Sequence, residues 1–156
     1  MEIILHLSDL HFGSEGDNLS SQAKRKICLD SLIAELAKLE PDWKPTVICI
    51  TGDLVWRGAE SDYAKAKHWL DKLLSTCELT YEHIVICPGN HEVDRKSAEK
   101  IPRPSSAEEA DKALEPPIDF IQIPFLNFTK FCQENGIPSL KFSDTESFLM
   151  GISLPK

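Results

Sequence analysis

Three short apolar runs divide the first part of the chain, and each of them ends in a cluster of polar residues. They cover residues 3–7, 46–51 and 84–87 and are rich in isoleucine and valine. Short continuous runs of this composition are typical of strands in a parallel sheet. The pattern therefore predicts three parallel strands, and the chain between them has to supply the crossovers.

Segments with helical periodicity separate and follow these runs. Apolar side chains recur at helical spacing over residues 22–39, where Ser20 or Ser21 is a candidate N-cap, and over residues 60–77. A third helix is predicted from residue 124 to 135, before a glycine. The stripe of the second helix consists of Tyr63, Ala66, Trp69, Leu70, Leu73 and Leu74. Strands that alternate with helices predict the α/β class.

Residues 94–117 are predicted to form a long loop or insertion that is rich in charged residues and proline. Its middle, residues 106–114, is predicted to be a short acidic helix capped by Ser105 or Ser106. Long loops in compact domains are often functional, so this one either borders a substrate cleft or is an exposed surface insertion. Further strands are predicted near residues 141–142 and 147–152.

The polar clusters at the three strand ends carry the candidate chemistry. Asp9 and His11 follow the first strand, Asp53 follows the second, and Asn90 and His91 follow the third. The carboxyl ends of parallel strands meet at one edge of the sheet, where open α/β folds bind ligands. If the chain is still extended there, Asp9 and His11 point to the same side. Carboxylate and imidazole groups together indicate a metal site.

These motifs, in this order, resemble the calcineurin-like metallophosphoesterase superfamily. The segment from Gly52 to Val55 and the segment from Pro88 to Arg95 look most like bacterial phosphodiesterase-type members. The resemblance covers roughly residues 2–95. It implies an α/β fold with a parallel sheet flanked by helices, the amino-terminal half of a four-layer αββα sandwich. It also implies a metal-dependent phosphoester hydrolase.

The resemblance also implies a role for each motif residue. Asp9 and His11 would bind a first divalent ion, Asp53 would bridge two ions, and Asn90 would bind the second. His91 would not be a ligand but would orient the phosphate, together with Asn90, and donate a proton to the leaving oxygen. A hydroxide bound to both ions would attack the phosphorus. Mn²⁺ is the first choice of metal, with Fe, Zn, Ni or Co as alternatives.

Two departures from the family pattern bear on these expectations. Many phosphatases of the superfamily carry an aspartate where this chain has Trp56, which favours the phosphodiesterase-like members. Trp56 either packs under its loop or lines the cleft and stacks on a substrate base. The family pattern also continues with further histidines, whereas the five here are at 6, 11, 68, 83 and 91. We read His6, His68 and His83 as structural or surface residues.

The missing histidines predict that residues 1–156 are a single domain, truncated from a longer polypeptide that contributes further domains. A degenerate site is the alternative, and the isolated chain would then be an inactive interaction module. The enzymatic alternative to a phosphodiesterase is a phosphomonoesterase, including a protein phosphatase. The substrate would be a small diester, a nucleotide or a nucleic acid.

Composition narrows the choice of partners and location. With a formal net charge of −8, the chain lacks the basic excess expected of a bulk nucleic-acid binder, although bound metals would make a cleft locally positive. No apolar run approaches the length of a membrane span, and no signal peptide is recognisable. Five cysteines without a CxxC pair predict buried, reduced thiols and a cytoplasmic location. An apolar face left open by truncation would favour a homo-oligomer.

Overall fold

Three parallel strands form the sheet in the computed structural model of the chain, which describes residues 2–14, 19–113 and 123–138. They are β1 (Ile4–Leu7), β2 (Val47–Thr51) and β3 (Ile84–Cys87), arranged in the order β1-β2-β3. Ile4 pairs with Val47, and Ile48 pairs with Ile84. Because helices lie in both crossovers, the predicted α/β class with a helix-flanked parallel sheet is confirmed.

Five α-helices lie in the described ranges: α1 (Leu19–Leu36), α2 (Glu60–Cys77), α3 (Arg95–Ala98), α4 (Ala107–Ala113) and α5 (Leu126–Asn135). The prediction for α2 is confirmed at both ends. None of these helices has both the length and the apolar character that crossing a membrane requires.

The predicted limits of α1 are wrong by about one turn at each end. The helix begins at Leu19, so Ser20 and Ser21 lie inside it instead of capping it. At the other end, the N–H groups of Lys38 and Leu39 donate to carbonyls three residues earlier. The last turn therefore tightens towards 3₁₀ geometry, and the α-helix stops at Leu36.

The start of α4 and the end of α5 agree with their sequence signals, whereas α5 begins at Leu126, two residues later than predicted, because Ile123–Phe125 forms a 3₁₀ turn. Ser106 caps α4, since its hydroxyl accepts the Glu109 N–H at 3.2 Å, and Glu109 in turn accepts the Ser105 N–H. Gly136 ends α5 in the left-handed conformation, with φ at 68°. The strands predicted at residues 141–142 and 147–152 lie outside the described residues.

One face of the sheet carries the core. Ile48, Ile50 and Ile84 are fully buried and belong to one cluster with the apolar stripe of α2. The opposite face is open within the described residues, where Ile4 and Thr51 are exposed.

The five cysteines differ in exposure, although all of them are free thiols. Cys77 and Cys132 are buried, as predicted. Cys28 is exposed on the outer side of α1, and Cys87 is exposed at the end of β3 on the open face of the sheet. The expectation that the cysteines are buried is thus wrong for these two.

Candidate metal centre

Backbone hydrogen bonds continue between the β1 and β2 segments after both strands have ended. The N–H of Asp9 donates to the Gly52 carbonyl at 3.3 Å, and the N–H of His11 donates to the Asp53 carbonyl at 2.9 Å. Phe12 forms an isolated parallel bridge with Val55. The two loops therefore leave the sheet side by side, and this register places His11 next to Asp53.

The residues at these loop positions adopt a backbone conformation that is uncommon for them. Asp9, His11 and Asp53 have φ angles of 58°, 49° and 55°. The left-handed region costs a residue with a Cβ atom about 1–2 kcal/mol, and such residues concentrate at functional sites. Because β1 already ends at Leu7, the expectation of an extended Asp9-x-His11 segment is wrong. The shared ladder and the left-handed turns place these side chains instead.

Three predicted site residues converge at the carboxyl edge of the sheet. Metal-ligating atoms of His11, Asp53 and His91 all lie within 4.8 Å of one another, and each residue is partly buried. Asp9 lies at the rim, with its carboxylate 3.7 Å from Nε2 of His11 and its side chain 66% exposed. Asn90 is exposed at the first position of a 3₁₀ turn. His91, expected to be a non-ligand, thus belongs to the group that is able to hold an ion.

The donor set fits a divalent metal ion. Nδ1 of His11 is buried and has no hydrogen-bond partner among the described residues. A buried polar atom without a partner is costly, and a bound cation would satisfy an imidazole nitrogen in this position. Mixed imidazole and carboxylate ligands suit Mn, Fe, Zn, Ni and Co better than Mg.

The orientation of His91 is fixed by Trp56. Nδ1 of His91 lies 2.7 Å from the Trp56 carbonyl oxygen, which only accepts hydrogen bonds, so Nδ1 carries a proton. Nε2 is therefore the nitrogen left for a metal ion or a phosphate. The two rings stack with centroids 4.5 Å apart and an angle of 20° between their planes. Trp56 also contacts the edge of His11, so it packs within the site.

Glu92 is the functional residue that sequence reasoning named only as part of a motif. It is fully buried, and Oε2 accepts the N–H groups of Asp53, at 2.8 Å, and of Gly89. Oε1 accepts the N–H of Val55 at 3.0 Å. One carboxylate therefore joins the loop after β2 to the loop after β3. The available signal was its spacing, because an acid three residues after Gly89 is able to reach back to that backbone N–H.

Two glycines allow these loops to approach closely. A Cβ atom on Gly89 would lie 2.3 Å from Oδ1 of Asp53, and one on Gly52 would lie 3.0 Å from the Cα of Gly89. Gly52 also has φ at 97°. Side chains at either position would push the loops apart, and with them Asp53 and His91.

A protein-family model matches nearly the whole chain. The family model described as calcineurin-like phosphoesterase matches residues 3–152. This range contains all three polar clusters at the strand ends. The search of curated proteins finds no match.

Proposed function

The chain belongs to the calcineurin-like phosphoesterase family, and from this premise we propose that it carries the metal centre of a phosphodiester hydrolase. The family indicates metal-dependent hydrolysis of phosphoesters. The observation that carries the proposal is that two assigned ligands, His11 and Asp53, converge with the substrate-facing His91 within 4.8 Å at the carboxyl edge of the sheet. The buried and unpartnered Nδ1 of His11 supports it.

We assign the ligands as the family resemblance implies. Asp9, His11, Asp53 and Asn90 would hold two divalent ions, with Asn90 contributing its amide oxygen. Two divalent ions, when bound, supply positive charge to the phosphoryl oxygens and lower the pKa of a water molecule towards 7. The backbone carbonyl of Asp53 accepts from His11, and Oδ1 accepts the His91 N–H at 3.1 Å. Asp53 thus contacts both neighbouring loops, in the position from which its carboxylate would hold metal.

His91 acts on the substrate in this proposal. With Nδ1 held by the Trp56 carbonyl, only Nε2 is available to orient the phosphate or to give a proton to the departing oxygen. Proton donation from Nε2 requires the imidazolium form, because the neutral ring keeps its proton on Nδ1. Attack from the side opposite the leaving group needs no covalent bond to the protein, so no nucleophilic side chain is required.

A diester substrate is the finer part of the proposal. It rests on Trp56, which stands where many phosphatases of this family carry an aspartate and which here stacks on His91. The alternative is a phosphomonoester substrate. Turnover of bis-p-nitrophenyl phosphate and p-nitrophenyl phosphate by the longest natural form of the protein separates them. A strong preference for the monoester would contradict the assignment.

The metal site is tested separately from activity. We expect titration calorimetry to show Mn²⁺ binding that Asp53→Asn abolishes, and elemental analysis after purification to identify the resident metal. Asp42→Asn is the matched control, since Asp42 is exposed in the 3₁₀ turn Pro41–Trp43. Equal Mn²⁺ affinity in the wild type and in Asp53→Asn would remove the proposed centre.

The open face of the sheet bears on domain organisation. A parallel sheet is normally covered on both faces, and here the face with Ile4, Cys49 and Val85 is uncovered within the described residues. We propose that the second sheet of a four-layer αββα sandwich packs on it.

A further inference from the structure

His91 lies within the candidate metal centre, although the proposed function assigns it to the substrate. We propose that Nε2 of His91 binds the same ion as His11 and Asp53 before the substrate arrives, and that a phosphate oxygen of the substrate then displaces it. His91 would thus serve first as a metal ligand and afterwards act on the phosphate. This inference rests on the proposed function and adds a resting state of the same site.

The three side chains are close enough to share one ion. Ligand atoms of His11, Asp53 and His91 all lie within 4.8 Å of one another, and the described ranges contain no other such group of three or more histidines, cysteines or acids. Two atoms that bind one ion at about 2.1 Å lie roughly 3–4 Å apart, so side-chain shifts of about 1 Å complete the site. Two imidazoles and one carboxylate leave further positions on a divalent ion open, and a phosphate oxygen would enter there.

The hydrogen bonds of His91 are those of a metal-binding histidine. Its Nδ1 lies 2.7 Å from the Trp56 carbonyl oxygen and donates to it. A histidine ligand normally donates its second ring N–H to a carbonyl or a carboxylate, which fixes the ring and makes the other nitrogen a stronger ligand. The backbone N–H of His91 also donates to Oδ1 of Asp53 at 3.1 Å. Nε2 is therefore held ready to bind the ion that Asp53 binds.

Two of the other assigned ligands are more exposed than His91. The side chain of Asp9 is 66% exposed, and Asn90 is exposed at the start of its 3₁₀ turn, whereas His91 is partly buried. Fixing an exposed side chain on an ion costs conformational entropy, which a packed ring has already lost on folding. The ring of His91 is packed in this sense, because it stacks on Trp56 with centroids 4.5 Å apart. His91 is thus better placed than Asn90 to complete the coordination of one ion.

Displacement by the substrate makes the two roles of His91 compatible. While Nε2 donates its lone pair to an ion, it is not able to act on a phosphate. When a phosphate oxygen takes its place, Nε2 recovers that lone pair, and Nδ1 keeps its proton on the Trp56 carbonyl. The exchange breaks no bond of the substrate and transfers no electron. It leaves Nε2 beside the phosphate, where the proposed function requires it.

Zn²⁺ titration of the full chain, followed by long-range ¹H–¹⁵N NMR of the imidazole rings, tests this ligand set, with Zn²⁺ as a diamagnetic substitute for Mn²⁺. These spectra distinguish metal-bound from free imidazole nitrogens, and the chain has five histidines to assign. We expect the signals of His11 and of Nε2 of His91 to change together and to saturate at one equivalent of Zn²⁺. An excess of methylphosphonate, which is not hydrolysed, should then return the His91 signal to its metal-free position and leave His11 bound.

Variants measure the contribution of His91 to affinity. His91→Phe keeps a ring beside Trp56 but removes the nitrogens, and should weaken Zn²⁺ binding by about tenfold or more because one of three ligands is lost. His68→Phe is the matched control on the exposed side of α2, and should leave the affinity unchanged. If His91→Phe does not give the wild-type backbone spectrum without metal, His91→Ala replaces it in the comparison.

Three results would overturn the inference: a His91 signal that Zn²⁺ leaves unchanged, equal Zn²⁺ affinity in the wild type and the His91 variant, and a His91 signal that stays metal-bound in excess methylphosphonate. Zn²⁺ bound by His11 and Asp53 without His91 would leave the proposed function intact. The absence of saturable Zn²⁺ binding in the wild type would remove the proposed metal centre together with this inference.

Discussion

Replacing Glu92 by glutamine tests whether one buried carboxylate holds two metal-site loops together. Both oxygens of Glu92 face backbone N–H groups: Oε2 accepts from Asp53 and Gly89, and Oε1 accepts from Val55. Glutamine has nearly the same shape, but one oxygen becomes an NH₂ group that only donates. The amide loses least when its NH₂ group faces Val55, which leaves that buried N–H without an acceptor.

The expected loss follows from these contacts. Hydrogen bonds to a charged acceptor contribute about 1.5–3 kcal/mol each, and a buried N–H left unpaired costs about 1–3 kcal/mol. Burying a neutral amide costs less than burying a carboxylate, and this offsets part of the loss. We therefore expect Glu92→Gln to lower the free energy of unfolding by about 2–4 kcal/mol, a large part of the total for a small domain.

Urea unfolding of the metal-free protein measures this loss, and Mn²⁺ titration measures the effect on the site. We expect a weakening of Mn²⁺ binding by about 10–100-fold, because the loop that carries Asp53 is no longer held. Glu82→Gln is the control, since Glu82 is exposed in the 3₁₀ turn Tyr81–His83, and should change stability by less than about 0.5 kcal/mol. The reasoning fails if Glu92→Gln behaves like this control in both measurements.

Three further predictions follow from single contacts. Trp56→Ala removes the ring stacked on His91 and should lower phosphodiester turnover by about 3–10-fold. Trp56→Phe keeps a ring there and should retain most of the turnover. Equal rates in both variants would contradict a positioning role for Trp56. Burial raises the pKa of the Cys132 thiol to about 12. Iodoacetamide at pH 8 should therefore modify the exposed Cys28 well before Cys132 in the folded chain. Equal labelling rates for the two thiols would contradict the burial of Cys132. Gly58→Ala should lower the free energy of unfolding by about 2 kcal/mol or more, because φ at Gly58 is 64° and the new Cβ would lie 2.6 Å from a backbone carbonyl oxygen. Urea unfolding measures this loss. An unchanged urea midpoint would contradict the close contact.

The elements with strong periodicity were predictable from the sequence. The range of α2 agreed at both ends because its apolar stripe packs on the sheet, so pattern and burial coincide. The convergence of His11, Asp53 and His91 was also predictable, since parallel strands deliver their following residues to one edge. Features that follow from a local pattern together with parallel strand topology were therefore predictable.

Features that depend on partners distant in sequence were not predictable. The three bonds of Glu92 reach as far as Asp53, which lies 39 residues away. The exposure of Cys28 depends on which side of α1 faces the core. The sequence pattern instead led to the prediction that Cys28 is buried. The left-handed backbone of Asp9 was not predictable either, because aspartate tolerates that region but no local sequence signal requires it.

The strained backbone at the ligand positions bears on how the metal centre forms. Left-handed conformations at Asp9, His11 and Asp53 cost about 1–2 kcal/mol each and persist only where the surroundings fix them. The ladder between the β1 and β2 loops and the bonds to Glu92 contribute to this fixation. They also hold the loops that carry His11 and Asp53 side by side. Contacts away from the ligand atoms therefore position the candidate metal ligands, which is why Glu92→Gln is expected to weaken Mn²⁺ binding as well as to lower stability.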